Sequence, residues 1–213
     1  MKTKFKQFSL RLLLSAVGTT IIAFGIVCFR LAKLGIDPDT AANIGVSSTF
    51  HWYLGNYQLA VNLILFLLVA AFDRTQFGLG TLINMSLPGY IIAELTPILM
   101  ARTDRWIIHG GLLIQLAIFV FAIFCFSLGI SIYMSSRMGV SPYDSVAALF
   151  EKKGWLAYRW VRTIQDVLFC IIAFIFGGPL GIGTVLIASL SGYSIQAWLR
   201  LYRYVKKSHR SAR

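Results

Sequence analysis

The chain has 213 residues, of which 57% are hydrophobic and 13% charged, and its mean hydropathy is +0.73. Soluble domains carry about 25% charged residues, so this composition excludes a disordered tail, a coiled coil and an ordinary water-soluble enzyme. Lys and Arg total 20 against 8 for Asp and Glu, a formal net charge of +12; on so apolar a chain that excess reports membrane orientation rather than nucleic-acid binding.

A membrane span needs about 20 apolar residues, so a chain of this length holds roughly six to eight spans and no separate soluble domain. The first residues, MKTKFKQF, open like a signal peptide. The apolar run that follows continues to Leu34, too long for the hydrophobic region of a cleaved leader, and predicts an uncleaved first span over Leu12–Leu34. A short segment, Pro38–Tyr53, comes next. Further spans are predicted at Leu59–Phe72, Leu79–Met100 and Trp106–Met134. A second short segment, Pro142–Glu151, precedes spans at Ala157–Phe176 and Leu180–Leu201; the first of these carries Arg159, Arg162 and Asp166. A helix of ten or so residues covers about 15 Å, half of a hydrocarbon core of about 30 Å. The short segments therefore lie at the interface or dip into the protein as half-helices.

The two halves repeat each other. Leu34-Gly35-Ile36-Asp37-Pro38 matches Met138-Gly139-Val140-Ser141-Pro142 at an offset of 104, which also pairs Gly25 with Gly129, Lys33 with Arg137 and Asn62 with Asp166. After a one-residue slip the offset becomes 103. It then pairs Gly78-Leu79-Gly80-Thr81 with Gly181-Ile182-Gly183-Thr184, and Gly89-Tyr90 with Gly192-Tyr193. Each repeat reads as span, short Pro-started helix, span, Gly-rich turn, span. An odd number of spans turns the second copy upside down in the bilayer. The expected architecture is an all-α polytopic membrane protein with six transmembrane helices and two short Pro-initiated half-helices. These form two inverted three-span repeats, residues 1–105 and 106–213. With six spans, 16 of the 20 cations fall on the side of the termini, and an eight-span arrangement gives the same count. The positive-inside rule thus places both termini in the cytoplasm without choosing between the two; segment length favours six.

Asp37 and Ser141 sit where an N-cap belongs, with Pro at N1, and Ser141 with Asp144 approximates a capping box. Plain capping explains them; helix N-termini facing a polar cavity and binding an anionic group is the functional alternative. The Gly-x-Gly-Thr glycines read as close helix packing, or as bare backbone beside a substrate. No Lys follows them, which argues against a phosphate loop. Asp166 is an ionisable group inside a span and a functional candidate for that reason; Arg162, four residues before it, offers a local ion pair. Lys33 and Arg137 are interface anchors or a source of positive charge for a site. Cys28, Cys125 and Cys170 lie singly in apolar runs, and His51, His109 and His209 have no ligand spacing, so no metal, cofactor or catalytic triad is expected. The six cations from Arg200 to Arg213, with Tyr202 and Tyr204, read as a positive-inside stop in contact with anionic lipid.

At its two Gly-x-x-Pro turns and two Gly-x-Gly-Thr helices the sequence resembles the YczE/YyaS/YitT family of bacterial integral membrane proteins, nearest its YczE-like branch. The second-repeat pattern Gly-x-Ser-Pro-aromatic-Asp is met by Gly139, Ser141, Pro142, Tyr143 and Asp144. The first repeat, Asp37-Pro38-Asp39-Thr40, lacks the aromatic and shifts the acid by one position. The resemblance implies a multi-pass protein of the bacterial cytoplasmic membrane and points to transport.

The leading expectation is a small transporter or permease-like protein, not an enzyme, acting on an unidentified small molecule. Asp39, Asp144, Asp166, Asn62, Lys33 and Arg137 would form the substrate site. The acids would carry a coupling proton, or the helix N-termini with Lys33 and Arg137 would hold an anion. The rival is a non-transporting membrane factor that binds or regulates a partner protein.

Overall fold

A computed structural model describes residues 2–189, all of whose regular structure is helical. The helices are α1 (Lys2–Ala32), α2 (Pro38–Thr49), α3 (Leu54–Phe72), α4 (Leu79–His109), α5 (Gly111–Ser136), α6 (Pro142–Lys152) and α7 (Tyr158–Ile175). A 3-10 turn, Arg74–Gln76, joins α3 to α4, and another helix starts at 182 and runs to the end of the described residues. Four helices among the described residues are long and apolar enough to cross a membrane: Phe5–Ala32, Leu54–Phe72, Leu79–Thr103 and Gly111–Ser136. The protein is therefore a helical membrane protein. The expected last span lies partly, and the basic segment Arg200–Arg213 wholly, outside the described residues, as do the matches at Gly192 and Tyr193.

Several boundaries move for local reasons. Residues 101–109 contain no Gly or Pro, so α4 continues past Met100 to His109, and the span expected from Trp106 begins instead at Gly111. The break falls where Gly111 takes a φ of +59°. Pro88 and Pro97 stay inside α4, as spans tolerate when neighbouring groups satisfy the freed carbonyls. Both short segments do form Pro-started helices. Asp37 caps α2 by accepting from Thr40 N at 3.0 Å, and Ser141 caps α6 by accepting from Asp144 N at 3.1 Å. The Ser141 hydroxyl also donates to Asp144 at 2.7 Å, completing the reciprocal pair.

The centre of the molecule is the crossing of α1 and α5. A Cβ on Gly18 would lie 2.6 Å from Tyr133 N, one on Gly25 2.8 Å from Phe126 N, and one on Gly129 2.7 Å from Ile22 N. Because 18 meets 133, 22 meets 129 and 25 meets 126, the two helices run antiparallel at backbone contact. Phe29 fills the interior beside the crossing, with ring centroids 5.1 Å from Phe119 and 5.8 Å from Phe126. The lipid-like outer surface is correspondingly apolar, with Leu113, Phe174 and Ile182 among its most exposed residues.

Each Gly-x-x-Pro turn docks on the Gly-x-Gly-Thr helix start of the opposite half. Gly183 N donates to Leu34 O at 2.7 Å and Gly80 N to Met138 O at 2.9 Å. Ile36 N donates to Pro179 O at 3.3 Å and Val140 N to Gln76 O at 3.0 Å. Gly35 and Gly139 make this possible: their φ values are +106° and +115°, and a Cβ on Gly35 would sit 2.6 Å from Gly181 N. The two half-helices then pack across the halves, α2 against the end of α7 and α6 against α3.

The turn after α3 is tied to α6. Asp73 accepts from Lys152 Nζ at 2.8 Å, from Thr75 N at 3.1 Å, from Thr75 Oγ1 at 2.7 Å and from Gln76 Nε2 at 3.3 Å. The Lys152 ammonium, and then the Thr75 hydroxyl, hold the Asp73 carboxyl well below the usual carboxylate range.

Candidate functional site

The sequence of α7 splits it into two faces. Trp160, Ile164, Val167, Leu168 and Ile171 are exposed and apolar, as lipid contact requires. Tyr158, Arg162, Gln165 and Asp166 recur at helical spacing on the other face, which meets α6 and α2. There Arg162 becomes the centre of a polar cluster. It forms a direct ion pair with Asp144 at the start of α6, and its Nε lies 3.4 Å from Asp166 Oδ1. Tyr143 donates to Asp166 at 2.9 Å while its ring lies under the guanidinium, 4.4 Å from the centroid. Tyr158 donates to Asp144 at 3.5 Å. Gln165, one residue before Asp166, donates to Tyr143 O at 2.9 Å and fixes α6 against α7.

The opposite half sends two more acids into the same field. Asp37 and Asp39, at the start of α2, both act electrostatically on Arg162, and Asp39 also on Asp144. Asn43 donates to Asp39 at 2.9 Å, and the second oxygen of Asp37 is buried with no hydrogen-bond partner. Two carboxylates, Asp144 and Asp166, thus contact one guanidinium, and Asp37 and Asp39 lie within its electrostatic reach. Arg162 and Asp144 are only half-buried, with 34% and 40% of their side chains accessible.

Of the residues predicted from sequence, Asp39, Asp144 and Asp166 come together here. Asn62, the counterpart of Asp166, instead donates to Met85 O at 3.3 Å and ties α3 to α4. Lys33 and Arg137 are exposed, with φ values of +57° and +54°, and close the C-terminal ends of α1 and α5. Sequence reasoning gave Arg162 only a local ion pair and missed Asp37, Tyr143 and Tyr158 as members of the cluster. One signal was available. At the offset of 104 the counterpart of Arg162 is Gln58, so both halves place a long polar side chain four residues before a matched Asn or Asp. Gln58 is buried, and its Oε1 has no partner.

Residues 9–200 match the family described as a family of unknown function, DUF6198. The chain belongs to this family. It is 30% identical over 193 residues to the uncharacterised membrane protein YczE of Bacillus subtilis (strain 168), covering 88% of this chain and 86% of that one. It is 27% identical over 183 residues to the uncharacterised protein YyaS of the same strain, covering 86% and 89% of the two chains. An uncharacterised protein of Haemophilus influenzae is 24% identical over 182 residues. No solved structure matches. This DUF6198 member is thus YczE-like, and its relatives span nearly the whole of it.

Proposed function

We propose that this YczE-like protein is a small permease of the bacterial cytoplasmic membrane that moves a cationic small molecule in exchange for protons. The observation that carries this reading is the convergence of Asp37 and Asp39 from one half with Asp144 and Asp166 from the other on Arg162. An acid surplus in a low-dielectric interior calls for a proton or a cationic group to balance it. This chemistry favours cations and protons over the anion-binding alternative.

Two inverted repeats would build such a site. The support is the reciprocity of the contacts: the turn-to-helix hydrogen bonds of one half recur in the other at the sequence offsets of 104 and 103. The repeat mates α1 and α5 cross antiparallel about a point between residues 23 and 24 on one and 127 and 128 on the other. A two-fold axis through such a crossing is perpendicular to both helices and so lies in the bilayer plane. In the six-span reading α7 and the helix from 182 are the fifth and sixth spans. Both termini lie in the cytoplasm, where the basic tail meets anionic lipid.

The test is proton flux in vesicles of purified protein, driven by a panel of organic and inorganic cations. Wild-type vesicles should show cation-dependent proton movement that Asp144→Asn and Asp39→Asn each reduce at least tenfold, as expected for an ionisable group on the path. Flux unchanged in both variants would overturn the reading.

A further inference from the structure

A second polar region lies behind the Met138–Ser141 turn. Ser15 and Thr19 stand one turn apart on α1 and are fully buried, and Tyr133 faces them from α5 with 5% of its surface exposed. The Ser15 and Thr19 hydroxyls have no hydrogen-bond partner, and that of Tyr133 has none beyond its neighbour Thr81. This is not the habit of the hydroxyls around them. Thr20, Ser86, Thr103, Ser127 and Ser135 all donate to the carbonyl four residues back, at 2.7–2.9 Å, the usual outcome in apolar surroundings. Ser15 and Thr19 do not take that option.

Their positions are linked. Ser15 Oγ lies 2.7 Å from where a Cβ on Gly80 would be, and Tyr133 N packs on Gly18. The Tyr133 hydroxyl is a neighbour of Thr81 and within electrostatic reach of Asp144. The Thr81 hydroxyl donates to Val140 O at 2.9 Å and accepts from Gly78 N at 3.2 Å, which uses its proton and one of its two lone pairs. An unpartnered buried hydroxyl costs about 1–3 kcal/mol. Ser15 and Thr19 leave two such groups one turn apart on α1, and a bridging water takes two to four partners.

We infer that Ser15, Thr19 and Tyr133 line a buried water site behind the Met138–Ser141 turn that leads to Asp144. A water there accepts and donates to the three hydroxyls and removes their desolvation cost. The hydration stands independently of transport. Its use, giving the Asp144 carboxylate a proton route past the Met138–Ser141 turn, rests on the proposed proton exchange.

Hydroxyl-radical footprinting of the full-length protein in lipid nanodiscs reads the hydration, because radiolysis of bound water labels the nearest side chain. Tyr133 should be oxidised several-fold faster than Phe29, which is fully buried and packs against Phe119 and Phe126. Ser15→Ala with Thr19→Val should bring Tyr133 down to the Phe29 level and lower the melting temperature. Oxidation of Tyr133 as slow as that of Phe29 in the wild-type protein overturns the site without any variant. A rise in melting temperature with Thr19→Val also overturns it, since that is the response of a dry, unpartnered hydroxyl. In proteoliposomes Tyr133→Phe should reduce proton flux several-fold. A labelled Tyr133 with unchanged flux in Tyr133→Phe overturns the proton route, while cation-driven flux in the wild type tests the permease reading by itself.

Discussion

Arg162 shows what one residue decides in this protein. It satisfies Asp144 and Asp166 at once and stacks on Tyr143. Removing it leaves carboxylates facing each other. Breaking a buried pair costs about 3–5 kcal/mol, and a third of this side chain is accessible, so Arg162→Leu should cost about 1–3 kcal/mol after screening. Thermal unfolding in detergent measures it. The double variant Arg162→Leu/Asp144→Asn should lose less than the sum of the two single changes, because the orphaned carboxylate is gone. Asp73 sets a pH dependence outside the spans. Its carboxyl is held low in the folded protein, so its stabilising effect is present above the unfolded value of about 3.9 and is lost as pH falls through the lower folded value. The melting-temperature difference between wild type and Asp73→Asn should be constant from neutral pH to about pH 5 and shrink below about pH 4.

At the scale of elements, α2 and α6 are fixed by their first residues. With 12 and 11 residues they are about 16–18 Å long, so packing and not propensity keeps them. Ser141→Ala removes the cap of α6 and one hydrogen bond to Asp144; it should cost about 1 kcal/mol, read as a fall in melting temperature. The α1–α5 crossing depends on glycine for space. Gly25 and Gly129 meet equivalent backbone atoms of Phe126 and Ile22, positions that are themselves 104 residues apart. Gly25→Leu and Gly129→Leu should therefore destabilise by similar amounts, about 1–3 kcal/mol or more, since the obstacle is main chain and cannot rotate away. A large effect at one site and none at the other would contradict the reciprocal packing.

Over the whole molecule, the half-helices end on opposite sides in the inverted reading, α2 near His51 and α6 near Lys153. With Cys28, Cys125 and Cys170 replaced by Ser, His51→Cys and Lys153→Cys should react with a membrane-impermeant thiol reagent from opposite faces of the membrane. Reaction from the same face would overturn the inversion. The turn-to-helix bonds also explain why the halves hold together. Each half supplies the helix start on which the other half's Gly-rich turn closes, through Gly183 N to Leu34 O and Gly80 N to Met138 O.

The sequence by itself determined the class, the helices and the sites of the breaks. Apolar runs of about 20 residues favour spanning helices, and a Ser or Asp before a Pro suits a helix start. It also marked the close contacts, because Gly35, Gly139 and the Gly-x-Gly-Thr pairs sit where backbone meets backbone, and such needs are local. Apolar periodicity was less exact at the ends: nothing in it distinguishes Met100 from His109 as the end of α4, since helix-forming residues continue to Gly110. Only the tertiary structure decided which polar residues meet. Asp39 and Asp144 are 105 residues apart and not equivalent in the repeat, and they act on one guanidinium because α2 and α6 both reach α7. Arg162 appeared in sequence as a partner of its own helix, for i,i+4 spacing is all that one helix reveals. The polar cluster is made of groups on separate elements, and the distances between those elements are set by packing across the molecule.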